Sequence, residues 1–318
     1  MILTATMLFK RLTLKCSKIN NSRLYSTDIF PCKIANQNLI HYHINNKYSN
    51  YTKVSNFQTS LLKQYLDWYK KYPIFKLNQL KEENIEQYNA VMRTKPKPSI
   101  ISVEFNPVYT AGKKFMKTIK SPDEFSKTYR HFVPNSKTML DESLENKVEC
   151  KLPEFEFINR GGKITYHGPG QLVIYLILDL KDFSNLDIRK YIQILEGNLK
   201  EFVRGEGLDV VNYKDEVGVF VKSKVNNSTY KMSSIGINLQ KLITTHGISI
   251  NIQNNLEYLN TFEMCGLENL QQTSLLREKK ELSEDISSIA QKIVKKINHD
   301  LGNMNIIYKS IDEDEINI

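Results

Sequence analysis

Apolar residues recur at helical spacing in three segments of the chain, 57–69, 187–205 and 284–298. The first segment stops before Pro73, and the second starts at Asp187, a residue type that often caps helices. In each segment the apolar residues fall on one side of a helix and the polar residues on the other. The pattern therefore predicts three amphipathic helices that pack against a sheet.

Shorter apolar runs predict strands between these helices. The runs lie at 99–105, 155–158, 172–180, 217–222, 230–239 and 246–252. The run 172–180 has apolar residues on both faces, which is typical of a central strand covered on both sides. Helices and strands in this order predict the α/β (α+β) class, with a mixed sheet packed with helices.

Two polar stretches, 76–98 and 113–150, interrupt this pattern. The second carries eight Lys or Arg and six Asp or Glu residues, a near balance that favours a solvated insertion over a binding face. No internal repeat is visible. We interpret 28–318 as one domain with its core at about 57–277 and with both stretches as surface insertions.

The net charge of +9 depends on the first 27 residues, which hold five Lys or Arg and no acidic residue. They are also rich in Ser, Thr and Asn, and basic residues break every apolar block, so the segment resembles a mitochondrial transit peptide more than a secretory signal. An unstructured tail is the alternative. Removal of 1–27 would leave +4, which weakens any case for nucleic acid. The longest apolar stretch has seven residues, far short of a membrane span, so we expect no membrane partner.

The four cysteines are widely spaced and form no CxxC pair, so neither a zinc site nor a redox dithiol is indicated. His41 and His43 flank a tyrosine in a polar stretch, and we expect them to be solvated rather than metal ligands. The predicted metal content is none.

The segment 160–171, RGGKITYHGPGQ, packs four glycines, an arginine and a histidine between two predicted strands. A loop this rich in glycine exposes backbone N–H groups to a ligand. Its spacing does not fit the phosphate-binding GxxxxGK[ST] pattern, which excludes that kind of nucleotide site. A tight turn without a ligand remains the alternative interpretation.

Three single residues are further candidates, and each has a plainer explanation. Strand alternation places Lys231 on one face with Ser233 and Ile235; the alternatives are a buried amine and a solvated lysine at a strand end. His246 opens a strand and is by default a hydrogen-bonded structural histidine. A lone cysteine such as Cys265 is more often a small core residue than a nucleophile.

Taken together and in this order, these elements resemble the lipoyl(octanoyl) transferases. The matching segments are 106–112, the RGGxxTYHGPGQ loop at 160–171, 218–221, 231–236, His246-Gly247 and Cys265-Gly266. The loop is the specific part of the match, which spans roughly 57–277. This chain has Met264 where the family usually has proline before the cysteine, and Phe220 where it has Trp or Tyr.

The resemblance implies the catalytic fold of biotin and lipoate protein ligases and an acyltransferase that needs no cofactor. It implies a thioester on Cys265, assisted by Lys231, in the transfer of octanoyl groups from acyl carrier protein to a lysine of lipoyl domains. The acceptors would be the glycine cleavage H protein and the E2 subunits of 2-oxoacid dehydrogenases, in the mitochondrial matrix. The implied substrate-binding residues are Arg160, Gly161, Gly162, Lys163, Ile164, Thr165, Tyr166, His167, Ser234, Ile235, Gly236, Gly247, Ile248 and Ser249.

Physical chemistry fits this assignment, because an ammonium group near a thiol raises the small thiolate fraction present at neutral pH. Two alternatives from other classes stay open. An ATP-dependent lipoate or biotin ligase would form an acyl-adenylate and would need no nucleophilic cysteine. A matrix scaffold that binds lipoyl domains would need neither Cys265 nor Lys231.

Overall fold

The computed structural model describes residues 29–112, 121–133, 152–213, 216–261 and 270–316. The predicted transit peptide at 1–27, most of the insertion at 113–150 and the candidate nucleophile Cys265 lie outside these residues. The interpretation of 28–318 as a single domain stays a prediction.

Eleven strands of the described residues form two sheets. They are β1 (Asn38–Ile44), β2 (Ser99–Val103), β3 (Val108–Gly112), β4 (Glu154–Ile158), β5 (Ile164–His167), β6 (Gln171–Ile177), β7 (Asp209–Val211), β8 (Val219–Lys222), β9 (Thr229–Gln240), β10 (Ile243–Asn251) and β11 (Asn305–Ile311). The large mixed sheet has the order β11-β1-β2-β6-β10-β9-β8-β7, and the small sheet has the order β4-β3-β5. The mixed sheet of the predicted class is confirmed.

Helices cover the large sheet on both faces. They are α1 (Tyr51–Lys71), α2 (Ile74–Glu83), α3 (Ile85–Arg93), α4 (Pro122–Arg130), α5 (Ile188–Gly205), α6 (Leu256–Leu259), α7 (Leu275–Lys279) and α8 (Ile286–Asp300). The three helices predicted from periodicity are α1, α5 and α8, and all three are confirmed. Asp187 caps α5 as expected, whereas α8 is capped by Asp285 and runs two residues further than predicted. No helix in the described ranges is long and apolar enough to cross a membrane.

The central strand β6 is buried on both faces, as its continuous apolar sequence predicts. Its even-numbered residues belong to the core beneath α5 and α8, and its odd-numbered residues belong to the core beneath α1: Leu172, Ile174 and Leu176 on one side, Val173, Tyr175 and Ile177 on the other. Each such side chain, when fully buried, contributes about 1.5–3 kcal/mol to stability. A third core lies against the small sheet and includes Tyr109, Phe155, Tyr166 and Tyr258.

The polar stretch 76–98 is largely exposed but contains two helices, α2 and α3, that its pattern did not predict. Of the residues in these two helices only Leu77 is buried, while Ile74, Phe75 and Ile85 are among the exposed apolar side chains. Neither helix therefore has a clear row of buried apolar residues along one face, which is the pattern that predicts an amphipathic helix. Asn84 separates them and accepts a hydrogen bond from Gln87 N at the start of α3.

Lys95 contradicts the prediction that the whole stretch 76–98 lies at the surface. It is only 4% exposed, and its Nζ donates to Asp179 Oδ2 at 2.8 Å and to the carboxylate of Asp182. Two carboxylates satisfy the buried ammonium, which is the condition under which lysine is tolerated inside a protein.

The expectation that His41 and His43 are solvated is wrong for His41. Both lie on β1, a strand that apolar periodicity did not predict, and His41 is 1% exposed. His41 Nε2 and His43 Nδ1 lie 2.8 and 2.9 Å from the Ser102 hydroxyl on β2. Among the described residues, no group of three or more His, Cys, Asp or Glu side chains could hold a metal ion.

Candidate active site

Lys231 lies on β9 and is buried, with 3% of its surface exposed. Its Nζ is 5.5 Å from the centre of the Phe220 ring on β8. Gly218 makes room for it: a Cβ there would lie 2.6 Å from Ser233 O and 3.0 Å from Lys231 Cε, and its φ of +135° also favours glycine. Of the two interpretations of this lysine, the buried amine is correct and the solvated strand end is wrong.

The segment 271–273 is bound to the backbone of Lys231. Lys231 N donates to Gln271 O at 3.0 Å, and Thr273 N donates to Lys231 O at 2.9 Å. Gln272 N in turn donates to Asn260 Oδ1 at 2.9 Å, so described residues from both sides of 262–269 are joined. Cys265 lies between them in the sequence, outside the described residues, and its contact with Lys231 stays a prediction.

The two predicted binding segments on β9 and β10 lie directly opposite each other. Ser234, Ile235 and Gly236 pair with Ser249, Ile248 and Gly247, respectively. Gly247 allows β10 to approach β6 closely, because a Cβ at this position would lie 2.3 Å from Ile174 O. These segments therefore form one continuous surface on adjacent strands.

Arg160 binds its own loop and β3. Its Nη1 donates to Gly161 O at 2.9 Å and to Lys163 O at 3.0 Å, while its Nη2 donates to Thr110 O at 2.9 Å and to Thr110 Oγ1 at 3.0 Å. The side chain is buried, and its Cδ lies 3.4 Å from the position of a Cβ on Gly236. Arg160 thus fixes the start of the glycine-rich loop beside β9.

The other predicted loop residues divide into an exposed and a buried group. Gly161, Gly162 and Lys163 are exposed, Thr165 is half-buried, and Ile164, Tyr166 and His167 are buried on β5. Gly161 N donates to Ile237 O at 3.4 Å, which attaches the exposed turn to β9. The structure thus brings the loop together with the β9 and β10 segments.

His246 adopts a left-handed conformation, with φ at 62°, in the middle of β10. Strand alternation would place it with Ile248 in the core beneath α5, yet its ring lies 5.5 Å from the Tyr175 ring, on the opposite face of the sheet. Its backbone N–H donates to Gln58 Oε1 on α1 at 2.6 Å. The ring nitrogen Nδ1 is buried without a hydrogen-bond partner among the described residues. The prediction that the His246 ring is hydrogen-bonded is therefore wrong for this nitrogen. Burial lowers the pKa of His246 to about 3.

Glu104 is a residue of this site that sequence reasoning missed. It follows β2, and its Oε2 accepts a hydrogen bond from Gly170 N at 2.8 Å, at the end of the glycine-rich loop. Gly170 has φ at +79°, and a Cβ there would lie 2.6 Å from Asn254 N, so only glycine fits. Burial raises the pKa of the Glu104 carboxyl to about 7. No local pattern indicates this contact, because it joins residues 66 positions apart.

We expect Glu104→Gln to flatten the dependence of stability on pH. The pKa of Glu104 is raised to about 7, so between its ordinary value and pH 7 the folded protein holds a proton that the unfolded chain has released. The free energy of unfolding of the wild type therefore falls as pH rises through this window, by about 1–3 kcal/mol from this group. Glutamine keeps an acceptor for Gly170 N without the titration.

Urea unfolding at pH 5 and pH 8 measures this difference. Glu124→Gln, at an exposed position on α4, is the matched control and should retain the wild-type slope. Parallel pH dependence in the wild type and Glu104→Gln would contradict a buried, titrating Glu104.

Comparisons with known proteins agree on one family. The model of the lipoyl protein ligase A/B catalytic domain matches residues 142–300, half of the chain. The mitochondrial octanoyltransferase of Saccharomyces cerevisiae is 34% identical over 233 residues, which cover 70% of this chain and 66% of that protein. The protein of the same name from Kluyveromyces lactis is 32% identical over 67% of this chain and 61% of its own length. The matched part of this chain thus spans slightly less than two thirds of the length of each of these two relatives.

Among solved structures, a lipoate-protein ligase A bound with ATP aligns with a TM-score of 0.49 and 12% identity. The alignment covers 88% of this chain and 92% of the other.

Proposed function

Because this chain belongs to the lipoyl protein ligase A/B catalytic-domain family, we propose that it is an octanoyltransferase. It transfers an octanoyl group from octanoyl-acyl carrier protein to a specific lysine of lipoyl domains. The relatives named octanoyltransferase support this activity. The observation that carries the proposal is the buried Lys231, whose backbone binds the segment that follows Cys265 by only six to eight residues.

In the first half-reaction, the Cys265 thiolate attacks the carbonyl carbon of the octanoyl thioester. The bond to the carrier sulfur breaks, the carrier leaves as a thiol after taking up a proton, and the octanoyl group stays on Sγ. The ammonium group of Lys231 favours the thiolate form of Cys265 before the attack. Backbone N–H groups of the glycine-rich loop or of Cys265 and Gly266 stabilise the negative charge that develops on the carbonyl oxygen.

In the second half-reaction, the neutral amine of the lipoyl-domain lysine attacks the new thioester. An amide bond forms and the bond to Sγ breaks, while Lys231 relays the proton that the amine loses to the departing Sγ, so that Cys265 is released as the thiol. The donor thioester is already activated, so neither ATP nor a cofactor takes part. This is the main chemical difference from a ligase.

The octanoyl chain lies against the surface formed by Ser234–Gly236, Gly247–Ser249 and the loop that starts at Arg160. Each buried methylene contributes about 0.8 kcal/mol, so an eight-carbon chain binds readily but differs little from its neighbours in length. Chain length is therefore selected by the point at which the binding space closes.

The acceptors are lipoyl-domain proteins such as the glycine cleavage H protein and the E2 subunits of 2-oxoacid dehydrogenases, and the site of action is the mitochondrial matrix. The basic, acid-free composition of residues 1–27 supports import. The mitochondrial names of both fungal relatives support the same location.

Incubation of the full chain with octanoyl-acyl carrier protein and a lipoyl domain, without ATP, tests the proposal. We expect intact-mass spectra to show one octanoyl group on the enzyme and later one on the lipoyl domain. Transfer that requires free octanoate and ATP would instead identify an acyl-adenylate ligase. Binding of the lipoyl domain without transfer under either condition would identify a scaffold.

A further inference from the structure

An ion pair on helix α5 binds two places in the connection between β7 and β8. Lys200 is buried and Glu196 is half-buried, and Lys200 Nζ lies 3.2 Å from Glu196 Oε1. Lys200 Nζ also donates to Asn212 Oδ1 at 3.2 Å, and Glu196 Oε1 accepts a hydrogen bond from Gly218 N at 3.2 Å. One pair of side chains therefore holds both Asn212 and Gly218 against α5.

Gly218 forms one side of the space around Lys231. A Cβ on Gly218 would lie 3.0 Å from Lys231 Cε and 3.6 Å from Lys231 Nζ, so the Gly218 backbone runs directly along the end of this lysine. The φ of Gly218, +135°, is a backbone conformation that residues with a side chain rarely adopt. Such a conformation persists where surrounding contacts hold it, and the hydrogen bond from Gly218 N to Glu196 is one of these contacts.

The Phe220 ring forms a second side of this space. Lys231 Nζ lies 5.5 Å from the ring centre, inside the range of about 6 Å for a cation–π interaction. The Tyr213 ring stacks on the Phe220 ring, with 5.2 Å between the centres and 24° between the planes. Tyr213 directly follows Asn212, the residue that Lys200 binds. Lys200 thus restrains the backbone that carries one of the two stacked rings.

We propose that Glu196 and Lys200 are positioning residues that fix the side chain of Lys231. Glu196 acts through the backbone of Gly218, and Lys200 acts through Asn212 and the stacked rings. The positioning itself depends only on contacts among described residues. Its effect on octanoyl transfer rests on the proposed function, which makes Lys231 the group that favours the thiolate and relays a proton.

NMR of the full chain labelled with ¹³C-lysine tests the positioning directly, with the Lys231 signals assigned by their loss in Lys231→Arg. We expect the Phe220 ring to shift the ε-proton signals of Lys231 away from those of exposed lysines, and Phe220→Leu to remove this shift. Glu196→Ala should move the Lys231 signals toward those of exposed lysines, because Gly218 is released. Unchanged Lys231 signals in Glu196→Ala would overturn the inference, whatever the activity of the enzyme.

Kinetics test the consequence for octanoyl transfer. Glu196→Ala removes the oxygen that accepts from both Gly218 N and Lys200 Nζ, so kcat should fall by about 10–100-fold while KM for the carrier changes little. Glu196→Gln keeps an accepting oxygen for both groups and should restore most of the rate. If the charge of Glu196 acted on Lys231 from a distance instead, Glu196→Gln would be as slow as Glu196→Ala, and that result would overturn the positioning role.

Glu201→Ala is the matched control, because Glu201 lies on the same helix and its carboxylate pairs with a lysine of α8 instead. This variant should change neither the Lys231 signals nor the rate. Lys200→Met fills the buried space of Lys200 but releases Asn212, and it should move the Lys231 signals in the same direction as Glu196→Ala, by a smaller amount. If Glu196→Ala fails to fold, unchanged Lys231 signals in Lys200→Met would overturn the inference.

The outcomes separate this inference from the proposed function. Displaced Lys231 signals in Glu196→Ala, together with a wild-type rate of transfer, would overturn the importance of this positioning for the reaction. Displaced signals in a protein that transfers no octanoyl group without ATP would overturn the proposed function and would leave the positioning of Lys231 in place.

Discussion

Cys265→Ala is expected to abolish octanoyl transfer, with a loss of at least about 10³-fold in rate. Alanine has no atom that can hold the acyl group, so neither half-reaction of the covalent route can proceed. The measurement is intact mass after incubation with octanoyl-acyl carrier protein, followed by the rate of lipoyl-domain modification. We expect no adduct on the variant and one octanoyl group on the wild type.

Cys32→Ala is the matched control within the same chain. Cys32 is a partly buried free cysteine, and burial raises the pKa of its thiol, which makes it a poor nucleophile near pH 7. This variant should retain the adduct and the wild-type rate. An adduct that persists in Cys265→Ala and disappears in Cys32→Ala would reassign the nucleophile.

Lys231→Met is expected to reduce the rate of octanoyl transfer by about 10²–10⁴-fold. Methionine fills much of the same buried space next to Gly218 and Phe220, so the side-chain packing is largely preserved while the ammonium group is lost. Both half-reactions should slow, because the group that favours the thiolate and relays the amine proton is gone. Single-turnover acylation and acceptor transfer, measured separately, report the two losses.

Two variants separate the role of Lys231 from a general effect of charge. Lys222→Met removes an exposed lysine on the neighbouring strand β8 and should leave the rate unchanged. Lys231→Arg keeps a positive charge but not a relay, since arginine does not release its proton, and should restore acylation more than acceptor transfer. A wild-type rate in Lys231→Met, with its fold intact by thermal unfolding, would remove this residue from the mechanism.

Elements with a strong amphipathic pattern were predictable because burial of one face leaves a periodic record in the sequence. The helices α1, α5 and α8 and the doubly buried strand β6 are of this kind. Elements without such a record were missed. The strand β1 carries two histidines, which flank Tyr42 and bond to Ser102, and α2 buries a single residue.

The candidate site was predictable as a set of residues but not as a geometry. The resemblance selected Lys231, the loop from Arg160 and the paired segments around Gly236 and Gly247, and the register of β9 against β10 brings those segments face to face. Nothing local indicated that Arg160 binds Thr110, or that Glu104 holds Gly170. These contacts join residues 50 and 66 positions apart.

The sequence by itself determined which faces are apolar, where the main helices lie and which family motifs the chain carries. Only the tertiary structure decided which polar groups meet inside the protein: Lys95 with Asp179 and Asp182, and Gln171 with Asn251. The physical reason is that the burial of an apolar residue depends on which face of its helix or strand the residue occupies, and this face recurs with the period of the helix or strand. A buried hydrogen bond instead depends on a partner that the tertiary fold brings close, through strand register for Gln171 and Asn251 and through the packing of loops for Lys95. In these cases the partner lies 80 or more residues away in the sequence.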